Sequence, residues 1–448
     1  MANQLNGDSD LLHRLATHKA MWRIIPLMCA IYFMSYLDRT NVSLAKARLA
    51  TDLGISAAAY GLGAGIFFIG YALLEVPSNL IAHRVGPRRW IARIALTWGA
   101  LSAAMMFVQG EASFYTIRVL LGIAEAGLFP ALMYMVTLWF APKDRSLVIG
   151  WIYTAPALAL IIGNPIGGLL MQMDGIGGLH GWQWLFLLEG LPTIVVGAVL
   201  WFKLPEKPSD ARWLSREEAQ VLEARAVPEA AHKGLFSPDW VAALKRPATV
   251  LIGLIYFLNQ VALVGLVFFT PAMIQQMHVD SSLMIGLLST SVGFGFLLGV
   301  LVVPRIHRRL TNDCRYLGVL TAGLVVSAML FTWSNWLPAQ LLLFVATAFF
   351  AGGVLPLYWA ISMKWLHGIQ AAAGLAFINT IGLIGGFVGP YLFGLAESAT
   401  GKSSAGFSVV IGASILGLLL VPLLAKAIQS QNLGADATSD AIYPSQAS

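Results

Sequence analysis

Four charged residues stand inside runs that are otherwise almost wholly apolar: Asp38 and Arg39, then Arg118 and Glu125. A charge at the centre of a hydrocarbon layer costs roughly 2.5–3.5 kcal/mol on insertion scales, so such residues are functional candidates by default. Arg118, Gly122 and Glu125 are spaced i, i+4, i+7 and share one helical stripe, with Gly122 leaving room between the charges. Tyr36 and Arg39 share a face one turn apart, and Tyr71, Glu75 and Asn79 form a second polar stripe. If these stripes face one another, two cations, two carboxylates and two phenols line a cavity. With all four core groups ionised, Asp38 and Glu125 cancel Arg39 and Arg118. One proton leaves an excess positive charge and a second proton doubles it, which an organic anion then neutralises. Arginine stays charged and offers a planar fork suited to carboxylates. Buried carboxylates exchange protons near neutral pH when their pKa values are raised. Proton loading should therefore favour anion binding, and proton loss release. The alternative is that these are ion pairs that only fix helix packing, Arg118–Glu125 among them.

The remaining candidates are weaker. Asn379, Gly382 and Gly386 form a small polar-capable stripe, with an interhelical hydrogen bond as the plain alternative for Asn379. Trp359 lies well inside an apolar run, and Lys364, five residues on, either ends that run or meets a second carboxylate. Glu75 and Glu189 lie nearer the ends of their runs, where water reaches, and a structural or gating role is expected of them. The basic turn His83-Arg84…Arg88-Arg89 reads as a topology anchor, with gating contacts between helix ends as the alternative.

The elements that must carry these residues follow from composition. The 448 residues are 58% hydrophobic and 11% charged, with a mean hydropathy of +0.73. A soluble domain carries about 25% charged residues, so a soluble enzyme, a disulfide scaffold and a disordered chain are excluded. A spanning helix needs ~20 mostly apolar residues, and twelve runs qualify, at about 22–45, 58–80, 90–109, 112–136, 146–170, 182–203, 247–270, 281–303, 315–334, 338–362, 372–396 and 404–425. Their length and lack of alternation exclude a barrel. An all-α membrane protein is expected, with a tail at 1–21, a six-helix bundle at 22–203, a polar linker at 204–246, a second six-helix bundle at 247–425 and a tail at 426–448. Residues 1–21 are polar and offer no small-residue cleavage site, so the first span should be retained. Of 28 lysines and arginines, 23 fall in the tails, the linker and the loops on the same side, and three on the other. That asymmetry places both termini in the cytoplasm. The net charge of +6 is then a topology signal and needs no nucleic-acid partner. Cys29 and Cys314 match no ligand or disulfide pattern.

The two halves echo one another. Gly127-Leu128-Phe129-Pro130 in span four answers Gly353-Val354-Leu355-Pro356 in span ten. Gly163/Gly167 answers Gly385/Gly389, and the basic turn at 83–89 answers 305–309. Three echoes in matching spans favour an internal repeat, and twelve-span proteins built this way rock two halves around a central site.

In order, these residues resemble a known family. The run Tyr36-Leu37-Asp38-Arg39-Thr40-Asn41 is similar to the first-span signature of the anion:cation symporter family of the major facilitator superfamily. So are Glu75-Val76-Pro77-Ser78-Asn79, the segment Arg118-x-x-x-Gly122-x-x-Glu125-Ala126-Gly127-x-x-Pro130, and Gly181-Trp182-Gln183-Trp184-Leu185-Phe186-Leu187-Leu188-Glu189-Gly190. The last, with Leu204-Pro205 and Ala211-Arg212-Trp213-Leu214-Ser215, resembles bacterial tartrate and aromatic-carboxylate permeases. The resemblance covers residues 20 to 425. It implies the major facilitator fold of two pseudo-symmetric six-helix halves, and proton-driven uptake of organic anions by alternating access across a bacterial inner membrane. It further implies proton-coupling roles for Asp38 and Glu125, and a substrate site lined by Tyr36, Arg39, Tyr71, Arg118, Trp359 and Asn379. The superfamily's loop motif Gly-x-x-x-Asp-Arg-x-Gly-Arg-Arg is altered: Asn79 replaces the glycine and His83 the aspartate, while Arg84, Gly86, Arg88 and Arg89 remain. Near Pro156-Ala157 the polar ligand of the sugar-acid members is missing, which weakens the case for a polyhydroxy cargo.

The expected partners are therefore a small organic anion, protons and membrane lipid, with the chain acting as a monomer and needing no cofactor or metal. A tartrate-like dicarboxylate is favoured. An aromatic monocarboxylate sandwiched by Trp359, Tyr36 and Tyr71 is the close alternative. An anion exchanger would keep the arginines but needs no titrating acids. A drug exporter has a near-match at Gly163-Asn164-Pro165-Ile166-Gly167-Gly168, but paired arginines repel cationic drugs. A membrane enzyme would need a nucleophile–base or metal cluster, and the eight histidines are scattered. A sensor would need a larger soluble domain than the linker provides.

Overall fold

A computed structural model describes residues 2–226, 246–307, 309–310, 312–365 and 368–442. Linker residues 227–245, the C-terminal residues 443–448 and the side chain of Lys364 lie outside what is described. Among the described residues all regular structure is helical, and twelve helices are long and apolar enough to cross a membrane.

The first span is the single helix α1 (Ala2–Leu53), and α2 (Ala57–Val85) and α3 (Pro87–Ala104) are the second and third. The fourth is broken into α4 (Glu111–Glu125) and α5 (Leu128–Trp139). The fifth comprises α6 (Pro142–Ile152), α7 (Thr154–Leu158), a π-helical turn at Ala159–Gly163, and α8 (Asn164–Leu170). Then come α9 (Gly181–Lys203) and the short linker helix α10 (Arg216–Arg225). The second half holds α11 (Pro247–Gln276), α12 (Ser282–His307), α13 (Asp313–Trp333), α14 (Leu337–Trp365), α15 (Gly368–Thr400) and α16 (Gly406–Ile442).

Contacts divide the chain into two compact units, one of Met1–His232, Val267–Gly293 and Pro390–Ser403, the other of Lys233–Leu266, Phe294–Gly389 and Ser404–Ser448. Each is held by close backbone approach at small residues, the means available to helices in lipid, where burying apolar surface gains little. In the first unit a Cβ on Gly122 of α4 would lie 2.0 Å from the Phe67 carbonyl oxygen of α2, and one on Gly70 would lie 2.7 Å from the Val119 carbonyl oxygen. Gly122 is thus a contact surface for α2, not a spacer between charges. In the second unit Gly299 of α12 meets the Phe349 carbonyl and Gly353 of α14 in the same way. Spans two and four are therefore joined as spans eight and ten are. The other glycine echo behaves alike: Gly163 and Gly167 rest on Leu37 and Leu44 of α1, and Gly385 and Gly389 rest on Phe257 and Val261 of α11.

One echo diverges. Gly127 adopts a left-handed backbone (φ 83°) and ends α4, whereas Gly353 lies within the unbroken α14. The break at Gly127 is filled from α2. Ser78 Oγ donates to the Ala126 carbonyl at 2.6 Å and accepts from Trp90 Nε1 at 2.8 Å. A Cβ on Gly127 would strike that hydroxyl at 2.3 Å, so the position needs glycine for both its φ and its space. The core of the second unit gathers Ile252, Tyr256, Leu317, Leu357, Tyr358 and Leu424.

Candidate functional site

The first span places Ser35, Tyr36, Asp38, Arg39 and Asn41 along one and a half turns of α1, and α4 brings Arg118 and Glu125 to it. Arg39 Nη2 donates to Glu125 Oε1 at 2.7 Å, and Ser35 Oγ donates to the same oxygen at 2.6 Å. The Glu125 side chain is 1% exposed and that of Arg39 15%. The guanidinium lies over the Tyr36 ring at 4.7 Å and near Phe67 at 5.3 Å and Phe68 at 5.7 Å. Tyr71 is buried one turn beyond Phe67, with ring centroids 6.1 Å apart. A charge-assisted bond of this kind, enclosed by rings, is strong because little water competes for it.

Arg118 does not pair with Glu125. It is fully buried, donating from Nε to the Gly63 carbonyl and from Nη2 to the Ala64 carbonyl, each at 3.1 Å. Its guanidinium also sits 4.9 Å from the Phe67 ring centre, and Nη1 has no partner. The alternative reading of Arg118–Glu125 as a packing ion pair is thus not met, and the pair formed is Arg39–Glu125. Seven residues of helix rise about 10 Å, so a shared stripe puts the two groups on one face but not in contact. Asp38 is buried, accepts a hydrogen bond from Ser102 Oγ of α3 through Oδ1, and keeps Oδ2 unpartnered. Of the six expected lining residues, Tyr36, Arg39, Tyr71 and Arg118 are in the first unit, and α1, α2 and α4 bring them together.

Trp359 and Asn379 lie in the second unit. Trp359 packs edge-on against Tyr256 at 5.8 Å, and Tyr256 lies on Gly382, one turn from the half-buried Asn379. Tyr256 was not anticipated, since a tyrosine in an apolar run carries no mark of its neighbours. Ser35 and Ser102 escaped notice for the same reason, serine being common in spanning helices.

The basic turn has a different carboxylate from the one the loop motif predicts. Glu206, just past α9, accepts from the Arg88 backbone N–H at 3.2 Å and pairs with Arg88 Nε at 3.5 Å. It rests on Gly86, whose φ of 98° and lack of a Cβ admit it. Burial pushes the Glu206 carboxyl above its ordinary range, against the pull of Arg88 and Arg89. His83 packs against Tyr134 with ring centres 3.9 Å apart and planes tilted by 43°, and Arg84 and Arg89 are exposed. Another unforeseen contact joins Lys46 of α1 to Glu397 of α15 at 2.5 Å, both largely buried, with Lys46 Nζ 4.6 Å from the Phe269 ring centre.

Glu189 also differs from expectation. It is 5% exposed, not open to water near a helix end. Among the described residues no group of three or more His, Cys, Asp or Glu side chains is gathered as a metal would require.

The comparisons agree with this architecture. The sequence profile of the Major Facilitator Superfamily matches residues 28–390. A quinolone resistance transporter from Acinetobacter baumannii is 37% identical over 411 residues, covering 92% of this chain and 95% of the relative. A relative from Agrobacterium vitis named for tartrate transport is 37% identical over 411 residues, 91% of each chain. The crystal structure of a bacterial homologue of the human lysosomal transporter Spinster, inward-facing and unoccupied, aligns with a TM-score of 0.72 at 18% identity, over 90% of this chain and 95% of that one. That structural likeness speaks for the fold alone, while the profile match and the two sequence relatives span nearly the whole membrane region. This twelve-span chain belongs to the major facilitator superfamily, whose members are membrane transporters and not enzymes.

Proposed function

We propose that the chain imports a small organic anion together with protons by alternating access across a bacterial inner membrane, with both termini in the cytoplasm. The carrying observation is the Arg39–Glu125 pair. A cation whose ionic partner among the described residues is an internal carboxylate is a site for which an external carboxylate can compete. Protonation of Glu125 removes its charge and weakens its hold on Arg39, which then accepts the anion in its place. Deprotonation restores the internal pair and expels the anion. Arg118, fixed by two carbonyls and with Nη1 unspent, supplies a constant positive field and one further donor. Asp38 is the second acid of the set. Trp359 and Asn379 contribute from the second unit, and His83, Arg84, Arg88 and Arg89 act at the gate with Glu206. The one-sided distribution of lysine and arginine supports the orientation.

A dicarboxylate such as tartrate fits two arginines, and the relative named for tartrate transport supports it. The aromatic surround of Arg39, from Tyr36, Phe67 and Phe68, favours an aromatic monocarboxylate as the second reading. Uptake of a panel of carboxylates into proteoliposomes of the purified protein, with and without an inward-directed proton gradient, tests both. Accumulation of L-tartrate only when the gradient is present is the expected result. Accumulation indifferent to the gradient refutes proton coupling, and preference for benzoate or another aromatic acid moves the cargo to the second reading.

A further inference from the structure

Beside the Arg39–Glu125 pair, on the other side of α1, the structure holds a second buried acid that the ion-pair argument does not use. Glu189 of α9 is 5% exposed, and its carboxyl makes no well-formed hydrogen bond among the described residues, its one polar contact being a loose one from the Asn41 side chain of α1. No lysine, arginine or histidine nitrogen among them reaches it at ion-pair distance. Thr193, one turn on, bonds to the Glu189 backbone carbonyl and leaves the carboxyl alone. An ionised carboxylate so placed would have exchanged its water for one loose amide contact, a loss that proteins avoid by neutralising the group.

The surroundings are specific. Asn41 of α1 faces the carboxyl. It is 0% exposed, and neither amide atom makes a hydrogen bond of normal geometry. Asp38 lies one turn earlier on the same face of α1, with Oδ2 unpartnered and Oδ1 held by Ser102 of α3. On the side of α8 the wall is Gly167, where a Cβ would come within 3.5 Å of Glu189 Oε1. The groups facing this pocket are thus one acid and one amide from α1, a hydroxyl from α3, bare backbone from α8, and Glu189 itself from α9. Arg118 of α4 acts on Asp38.

We propose that Glu189 is a third proton-carrying carboxylate of the transport cycle, coupled across Asn41 to Asp38. The inference rests on the proton-coupled reading above and deepens it. A protonated Glu189 adds no negative charge beside Asp38. If Glu189 loses its proton while it is enclosed, an uncompensated negative charge is buried next to a second carboxyl group, that of Asp38. Release of this proton therefore requires the pocket to open to water, which ties it to the conformational cycle. The proton leaves from the carboxyl oxygen to solvent and is replaced from solvent, with no other bond made or broken.

The test is infrared spectroscopy of the purified protein in lipid, with no anion added, at neutral pH. The wild type should show the C=O stretch of a buried carboxylic acid, and Glu189→Gln should lose the intensity of one such group. Should that variant fail to fold, Asn41→Ala serves instead, shifting the band because the carboxylic acid loses its neighbour. An unchanged carboxylic-acid region in both variants overturns the assignment. So does a wild-type band that vanishes when sodium replaces choline in the buffer, since a cation and not a proton would then neutralise the site. A reversal-potential measurement with L-tartrate adds the transport readout: the proton-to-anion ratio should fall by one in Glu189→Gln, and an unaltered ratio overturns the coupling role. Because the infrared arm uses no cargo, a missing band counts against Glu189 even where tartrate accumulates against its gradient. A present band with gradient-indifferent uptake retires symport itself, and the coupling role with it.

Discussion

Replacing Glu125 by Gln imitates its protonated state while keeping its shape. The Gln oxygen still accepts from Ser35 Oγ and Arg39 Nη2, now 2.6 and 2.7 Å from Glu125 Oε1. What changes is the charge behind the contact. The bond stays charge-assisted on the Arg39 side, and giving up the acceptor's charge takes roughly 1–2 kcal/mol of the ~1.5–3 kcal/mol that a hydrogen bond to a charged group contributes. An incoming carboxylate has that much less to displace. At 1.4 kcal/mol per decade, this amounts to ~5–30-fold tighter anion binding at mildly alkaline pH. Calorimetric titration with L-tartrate at mildly acidic and mildly alkaline pH reads the effect. Wild-type affinity should weaken as pH rises, and the variant should stay tight and nearly flat. In proteoliposomes the variant should lose gradient-driven accumulation more than counterflow. A variant whose affinity falls with pH as steeply as the wild type, or whose two transport modes decline equally, refutes the competition between Glu125 and the cargo for Arg39.

Three further outcomes are expected. Glu397→Gln leaves Lys46 buried without its counter-charge, which costs ~3–5 kcal/mol when one partner of a buried pair is removed. The end of the eleventh span should then part from the first, and a cysteine at Ala47 should react faster with an impermeant thiol reagent; an unchanged labelling rate contradicts this. Gly122→Ala forces a methyl toward the Phe67 carbonyl, and overpacking of this kind costs ~1–3 kcal/mol. A lowered melting temperature with weakened tartrate binding is expected, and wild-type values for both would show that α2 and α4 yield there easily. Lys19, 2.6 Å away, holds the Glu218 carboxyl below its ordinary 4.5, helped by the Ser215 backbone N–H. A depressed acid stabilises above its unfolded value and loses that contribution as pH falls through the folded one. Acidification, or Glu218→Gln at neutral pH, should thus raise hydrogen exchange in α10. Since Lys19 is half exposed, the pair itself contributes only ~0.2–1 kcal/mol, and exchange that does not respond to pH would place α10's attachment elsewhere.

The spanning helices were legible because lipid demands a long apolar run, and no tertiary context overrides that demand. The charged four were legible because their cost in hydrocarbon singles them out. Their pairing was not. Spacing along α4 puts Arg118 and Glu125 on one face, but the partner of Glu125 comes from α1 through a docking that no local pattern encodes. Glu189 was misjudged on position alone: Gly167 lets α8 come close enough to bury it, a consequence of packing between helices distant in sequence. Glu206 was hidden similarly, since Gly86 has one reading as a turn residue and another as a seat for a carboxylate.

The interruption of the fourth span has a mechanical consequence. Its first piece ends at Glu125, and the pivot at Gly127 follows two residues later. A change in the electrical load at the end of one lever is therefore felt at the elbow, before it is felt anywhere else. The forearm beyond, α5, carries Tyr134 against His83 at the opposite end of the second helix. An unbroken rod would have spread such a disturbance evenly along the span, whereas an articulated one converts it into an angle.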